Sequence, residues 1–293
     1  MVSVDRPTRG YRVFQKVNGV VLTLVVIVTL YPFVNIVARS FSGERQIRAG
    51  EVTLWPKGFD LTTYEVVLRD EMFWRNYGNT VLYTAVSTAV AMVLTTCYAY
   101  VLSKRQLKGR GFLVTVAVFT MFFTGGLIPT YVLITSLGLK NTVWALALPN
   151  AISVFNLLVM KAFFESLPAE LEEAAQIDGL STYGILLRIV LPLSKAVVAT
   201  MVLFYSVSFW NSWFGAFLYL DRSELMPVTV YLRNLIAGAT GGAGAGAGAE
   251  QLSQTAANIQ AVTIVLTSLP ILCVYPFVQR YFVSGVMLGA VKG

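Results

Sequence analysis

The sequence predicts an all-α membrane protein with six transmembrane helices, and three observations carry that prediction. Apolar residues make up 56% of the 293-residue chain, with a mean hydropathy of +0.68. Charged residues make up only 13%, about half the share of a typical soluble domain, so there is too little polar surface to cover a soluble fold. The apolar residues also fall into long runs, each close to the roughly 20 residues a helix needs to cross the hydrocarbon layer.

The first run, residues 16–38, follows Arg6, Arg9, Arg12 and Lys16. No small-residue cleavage site follows it, so it reads as a span and not as a removable leader. The segment 39–75 balances six basic against six acidic residues and carries Trp55, Pro56, Phe59, Tyr64, Phe73 and Trp74. An ordered external cap and an interfacial aromatic belt both fit that composition. The second span covers 77–102, and Lys104, Arg105, Lys108 and Arg110 follow it with no acid among them. The third, fourth, fifth and sixth spans cover 111–135, 142–164, 189–216 and 259–282. Pro32, Pro129, Pro149 and Pro192 lie in or beside the spans, where neighbouring helices can satisfy the freed carbonyls. Basic residues gather on the cytoplasmic side of membrane proteins. The whole chain then reads as one integral membrane domain with both termini, including Arg280 and Lys292, in the cytoplasm. The loops 39–75 and 217–258 lie outside. Within the second of these, the Gly/Ala run 237–250 is expected to be a flexible loop.

Composition also excludes several functions. The net charge of +7 fits basic loops beside anionic lipid headgroups and does not require nucleic acid. Histidine is absent, which removes imidazole zinc sites, serine–histidine triads and histidine proton relays. Cys97 and Cys273 both sit in apolar runs and indicate no disulfide framework. The chain holds no G-x-x-x-x-G-K-[ST] segment, hence no phosphate-binding loop of its own. No set of catalytic or metal-binding residues appears within the spans.

The loop 165–188 breaks the apolar pattern, placing Glu172, Glu173 and Asp178 within seven residues. Pro168 and the acids favour a helix start, and Gly179 favours its end. A short helix over 168–178 follows, with Ser181 or Thr182 capping a second one. Ala174 and Ala175 permit close approach, so the helix can seat in a groove on another protein. Composition alone fits a solvated connector as well. The spacing Glu173-Ala174-Ala175, three residues, Gly179, nine residues, Ile189, one residue, Leu191-Pro192 decides between them. It resembles the signature loop of permease subunits in bacterial binding-protein-dependent ABC importers.

The similarity extends along the chain. "NTVLYTAVSTAV" at 79–90, "FFTGGLIPTYVLITSLGLKNTVWALALP" at 122–149 and "GVMLGAVKG" at 285–293 resemble the carbohydrate-uptake branch. Within it, the similarity is to the subgroup importing complex oligosaccharides and polysaccharide fragments, alginate among them. The resemblance implies a type I ABC importer permease fold with a cytoplasmic coupling helix. It implies that Glu172, Glu173, Ala174, Ala175, Asp178 and Gly179 contact an ATPase. The implied partners are two ATPase subunits through 168–188, a second permease, an extracytoplasmic solute-binding protein and membrane lipid, with no nucleic acid. The chain would bind no cofactor, since ATP and magnesium belong to the ATPases, and it would not be an enzyme.

The segment "FYSVSFWNSWFGAF" at 204–217 interleaves aromatic and polar side chains. Tyr205, Phe209, Trp210, Asn211 and Trp213, with Asn156 from the fourth span, are candidates for the substrate path. Phe209, Trp213 and Phe217 recur at every fourth residue and would share one helical stripe. A lipid-facing belt is the other reading of the aromatics, and an interhelical hydrogen bond the other reading of Asn156. An ion-coupled carrier is the rival function, but the spans hold almost no carboxylate and no histidine to carry the coupling ion. An ABC permease for a non-sugar solute is the nearer rival.

Overall fold

The computed structural model describes residues 9–241 and 258–273, and the described residues are helices joined by short connections. The start of the chain through residue 8, residues 242–257, and everything beyond Cys273 lie outside them. That excludes Arg6, most of the Gly/Ala run, the end of the sixth span and the C-terminal "GVMLGAVKG". The chain divides into two compact units.

Of the described residues, the first unit comprises 9–70, 232–241 and 258–267. Helix α1, Arg9–Ser40, has 32 residues and is about 48 Å long at 1.5 Å per residue. Its apolar side chains are exposed on every face, Val28 at 72% and Phe33 at 64%. Such exposure is stable only where lipid or a partner protein covers it. Pro32 lies inside it without breaking it. After α1 come α2, Glu44–Arg48, and α3, Thr62–Arg69.

The segment between α1 and α3 is an ordered cap. Ala38, Ile47 and Val52 form a small core. Asn35 Nδ2 donates to the carbonyls of Val52 at 3.1 Å and Thr53 at 2.8 Å. Phe41 stacks between Phe59 and Tyr64, with centroid distances of 6.0 and 5.1 Å. Trp55 stays 79% exposed at the surface of this cap.

Of the described residues, the second unit comprises 71–231 and 268–273. Helix α4, Glu71–Ser103, is its axis and packs against several later helices. It buries Thr80, Ser87, Thr88, Thr95 and Thr96 along with its apolar residues. Small hydroxyl residues let helices approach closely and hydrogen-bond across the contact.

The remaining spans are interrupted. Helices α5, Arg110–Phe122, and α6, Leu127–Ser136, together cover the third predicted span but meet at 111°. Phe123 is extended and Gly126 has φ +85°, a conformation that a side chain disfavours. The fourth predicted span is α7, Trp144–Ala147, followed after Pro149 by α8, Val154–Glu165, whose first turn is capped by Ser153. Next come α9, Ala169–Ile177, and α10, Thr182–Ile185. A π turn, Leu186–Val190, leads into α11, Leu191–Leu193. Helix α12, Lys195–Trp210, then departs at 87° to the preceding helical stretch. Pro192 supplies no backbone donor to this region, and its ring opposes a continuous α-helix.

Among the described residues, by length and composition, α1 and α4 can each cross a membrane unaided, and the two bent pairs bring the number of candidate crossings to four. The third, fourth and fifth spans expected from hydropathy are interrupted helices. Hydropathy registers apolar length, whereas the breaks fall at Gly126, after Pro149, and at Ser194, with the π turn Leu186–Val190 just before Pro192.

Helix α13, Phe214–Tyr219, precedes a connection that folds back on α4. Tyr83 Oη donates to the Leu225 carbonyl at 2.7 Å, and Asn79 Nδ2 donates to that of Glu224 at 2.7 Å. Lys140 and Asp221 pair at 3.0 Å. This contact and that of Asn141 hold the Asp221 carboxyl below its usual range, and the same Asp221 bond raises Lys140. Helix α14, Val228–Gly241, takes in the first residues of the Gly/Ala run expected to be loop. The alanines among them are good helix formers continuing an existing helix. Helix α15, Asn258–Cys273, covers the described part of the sixth span. Cys97 and Cys273 are both exposed and unpaired.

Candidate functional site

The signature loop is shaped by its backbone. Pro168 is extended, with φ −58° and ψ 127°, and α9 starts directly after it with Glu170 and Glu172 in its first turn. Acids there complement the positive end of the helix dipole. The end is a Schellman turn. Gly179 N–H donates to the Gln176 carbonyl and Leu180 N–H to that of Ala175, both at 3.0 Å. This turn needs a left-handed residue, and Gly179 supplies φ +78° with open space where a Cβ would point. Ser181 then caps α10, its Oγ accepting from Gly184 N–H at 3.2 Å.

The two faces of α9 differ. Ala175 is 3% exposed and joins the core with Leu102, Phe164 and Ile185. Glu172 pairs with Lys104 of the same chain. Of the six residues expected to contact a partner, these two thus face the chain itself. Glu173, Ala174, Asp178 and Gly179 are exposed. Beside them stand Ile177 at 87%, Tyr183 at 77% and Leu187 at 64% exposure. Tyr183 and Leu187 escaped the sequence reading. The available signal was their position: apolar residues in a polar loop, with no periodicity assigning them to a core.

A second site lies between α8 and α12. A cavity of about 370 Å³ is lined by Asn150, Ser153, Asn156, Tyr205, Ser208 and Phe209, among others. Tyr205 is fixed at 3% exposure. Its Oη lies 2.6 Å from Thr95 Oγ1 and accepts the Ser153 N–H at 2.9 Å. Its ring lies 6.1 Å from that of Phe209 and nearly parallel to it. The lining carries hydroxyl, amide and aromatic groups and no Lys, Arg, Asp or Glu. Such a surface stacks on C–H faces and exchanges neutral hydrogen bonds.

Three of the six candidate path residues, Asn156, Tyr205 and Phe209, come together here. Trp210 instead lines a separate apolar cavity of about 300 Å³ beside Val81, Ala85 and Leu203. It meets Tyr77 edge-on at 5.8 Å. Asn211 and Trp213 lie on the turn between α12 and α13. The expected stripe of Phe209, Trp213 and Phe217 does not form on one helix, because α12 ends at Trp210. The Asn211 side-chain amide donates to the Val207 carbonyl at 2.8 Å, and the Asn211 backbone N–H donates to the same carbonyl at 3.2 Å. Asn150 and Ser153 were missed by sequence reasoning. Polar residues just after Pro149, where a span has to break, were the usable signal.

The chain was compared with known proteins. The model of the family described as "Binding-protein-dependent transport system inner membrane component" matches residues 108–288. Protein LplC of Bacillus subtilis (strain 168) is 43% identical over 98% of this chain and 97% of its own length. The polygalacturonan/rhamnogalacturonan transport system permease protein YtcP of the same organism is 39% identical, over 96% and 99%. Among solved structures, a chain of a bacterial ABC transporter involved in import of the acidic polysaccharide alginate superposes with a TM-score of 0.84. It is 33% identical and is covered to 98%, against 94% of this chain. Together with the apolar helices, these matches identify the chain as a member of the binding-protein-dependent transport system inner membrane component family, an ABC importer permease and not an enzyme.

Proposed function

We propose that this chain is one of two permease subunits in an ATP-driven importer of oligosaccharides or polysaccharide fragments, with α9 as its coupling helix. The observation that carries this is the α9 loop: a rigidly terminated short helix whose acidic and apolar residues stand exposed, away from the chain's own core. In this reading Glu173, Ala174, Ile177, Asp178, Gly179 and Tyr183 meet the cleft of an ATPase subunit within the contact region 168–188. ATP and magnesium sit on two such subunits, since this sequence has no phosphate-binding loop.

The chain then forms a single domain with six crossings, several of them broken, and both termini in the cytoplasm. The broken helices border the cavity, where irregular backbone is tolerated at membrane depth. A second permease completes the translocation path, and an extracytoplasmic binding protein delivers the solute. The α8–α12 cavity, through Asn156, Tyr205 and Phe209, lines the path. Alginate and pectic fragments are the leading solutes, because a related permease and a related solved transporter carry those names.

Co-purification in mild detergent, followed by reconstitution with the partners found, tests this. ATP-dependent uptake of alginate or galacturonan oligosaccharides is the expected result. Purification with no ATPase, or uptake indifferent to ATP, would sink the proposal; ATP-driven uptake of a non-sugar solute alone would sink the substrate assignment.

A further inference from the structure

We propose that Lys104 and Arg110 are positioning residues that latch the coupling loop to α4 and α5 and carry its displacement into the bundle. The basic run after α4 serves in the sequence only as a marker of sidedness. In the folded chain its four cations divide into two classes. Arg105 and Lys108 are exposed, whereas Lys104 and Arg110 are half-buried.

Lys104 pairs with Glu172 of α9, and its Nζ also sits 3.9 Å over the ring of Tyr100. Tyr100 is 3% exposed and meets Phe164 edge-on at 6.3 Å, so this latch ends on packed core. Arg110 pairs with Glu165 at the end of α8. Lys161 reaches the same carboxylate at 3.0 Å, and Arg110 Nε donates to the Leu102 carbonyl at 2.7 Å. Both pairs are partly withdrawn from water, where attraction between opposite charges is screened less than at an open surface.

Within α9 only Ala175 is buried, and Leu167 and Leu180 pack against the same core just outside its two ends. The latch adds a polar tether to the first turn of the helix itself. A force on the exposed face of α9 reaches α4 efficiently only through contacts that do not slip. Lys104–Glu172 couples the first turn of α9 to the end of the longest helix in the unit, and that helix in turn anchors Tyr205 through Thr95. Glu172 is then a tether to the chain's own core and not a partner contact.

The latch rests on the coupling reading above, and the two can fail separately. In the complete reconstituted complex, hydrogen exchange across 169–180 reports the latch without any transport. ATP hydrolysed per alginate oligosaccharide imported reports the transmission. Lys104→Ala should speed that exchange and raise ATP use per import, each by about fivefold. Lys104→Glu combined with Glu172→Lys should bring both back toward the starting values, an outcome a merely structural lysine would not give. Unchanged exchange in Lys104→Ala, faster exchange with an unchanged ATP ratio, or a charge swap that restores neither overturns the latch. A wild-type complex that imports without ATP overturns the coupling reading itself.

Discussion

The α9 loop and the α8–α12 cavity are built from opposite materials. The loop uses charge: acids at a helix start, an ion pair from Glu172 to Lys104, a second from Glu165 at its beginning to Arg110, and an exposed rim of carboxylates. The cavity uses hydroxyls, amides and aromatic rings, with no formal charge in its lining. Under the proposed coupling and path roles, depth would account for the difference. At the water boundary a charged group keeps its hydration and is inexpensive, whereas an unpaired charge at the bilayer centre costs several kcal/mol or more. A coupling contact of the kind proposed for α9 can therefore be ionic at the edge, while side chains lining a membrane-embedded cavity are better neutral.

Substitutions in the two regions should separate them, in order of decreasing effect. Gly179→Val places a β-branched residue at φ +78°, at a strain of about 2 kcal/mol. Import should fall by more than about tenfold while membrane abundance is kept, and Gly179→Asn, which tolerates that conformation, should retain most of it. Equal loss of both variants from the membrane would mean that the turn serves folding and not coupling. Tyr205→Phe removes the hydroxyl shared by Thr95 and the Ser153 amide. It should destabilise the purified protein by about 1–3 kcal/mol, read as a drop in Tm. No drop would show that the cavity wall does not depend on that bridge.

Ser208→Ala takes one neutral group from the cavity lining and should raise the KM for uptake by about threefold to tenfold with kcat kept. A change in ATP consumption per import instead would place Ser208 in the coupling machinery.

The smallest effect concerns the Lys140–Asp221 pair in the connections between spans. The lowered Asp221 contributes stability that is present above the ordinary aspartate range and lost as pH falls through its depressed folded value. The raised Lys140 contributes stability that is complete below the ordinary lysine range and fades as pH rises through its elevated folded value. Asp221→Asn should flatten the acid side of a Tm-against-pH curve slightly and leave import untouched. An unaltered acid limb would show that the pair does not report on folding.

How much was legible depended on whether the cause was local. Pro168, the acids after it, Gly179 and Ser181 act on their own backbone within a few residues, so the ends of α9 and the cap of α10 could be read directly. The breaks at 123–126 and around Pro192 involve glycine and proline that were visible but were absorbed into continuous apolar runs. Glu172 and Ala175 looked like their exposed neighbours, and only the position of Lys104 and the core beneath distinguish them. Helices α1 and α4 show the limit of hydropathy most clearly. The more apolar of the two, α1 at 2.5 against 1.7, buries none of its window, while α4 buries 44%.

Sequence alone determined the membrane class, the family and the local geometry of the signature loop, because composition, fixed spacing and backbone preference act along the chain. Tertiary structure alone decided which face of α9 is free, which aromatic residues meet the α8–α12 cavity, and that two cations of a basic loop are committed inward. Those outcomes depend on residues tens of positions apart being brought within a few ångströms, and a pattern read along the chain does not encode that meeting.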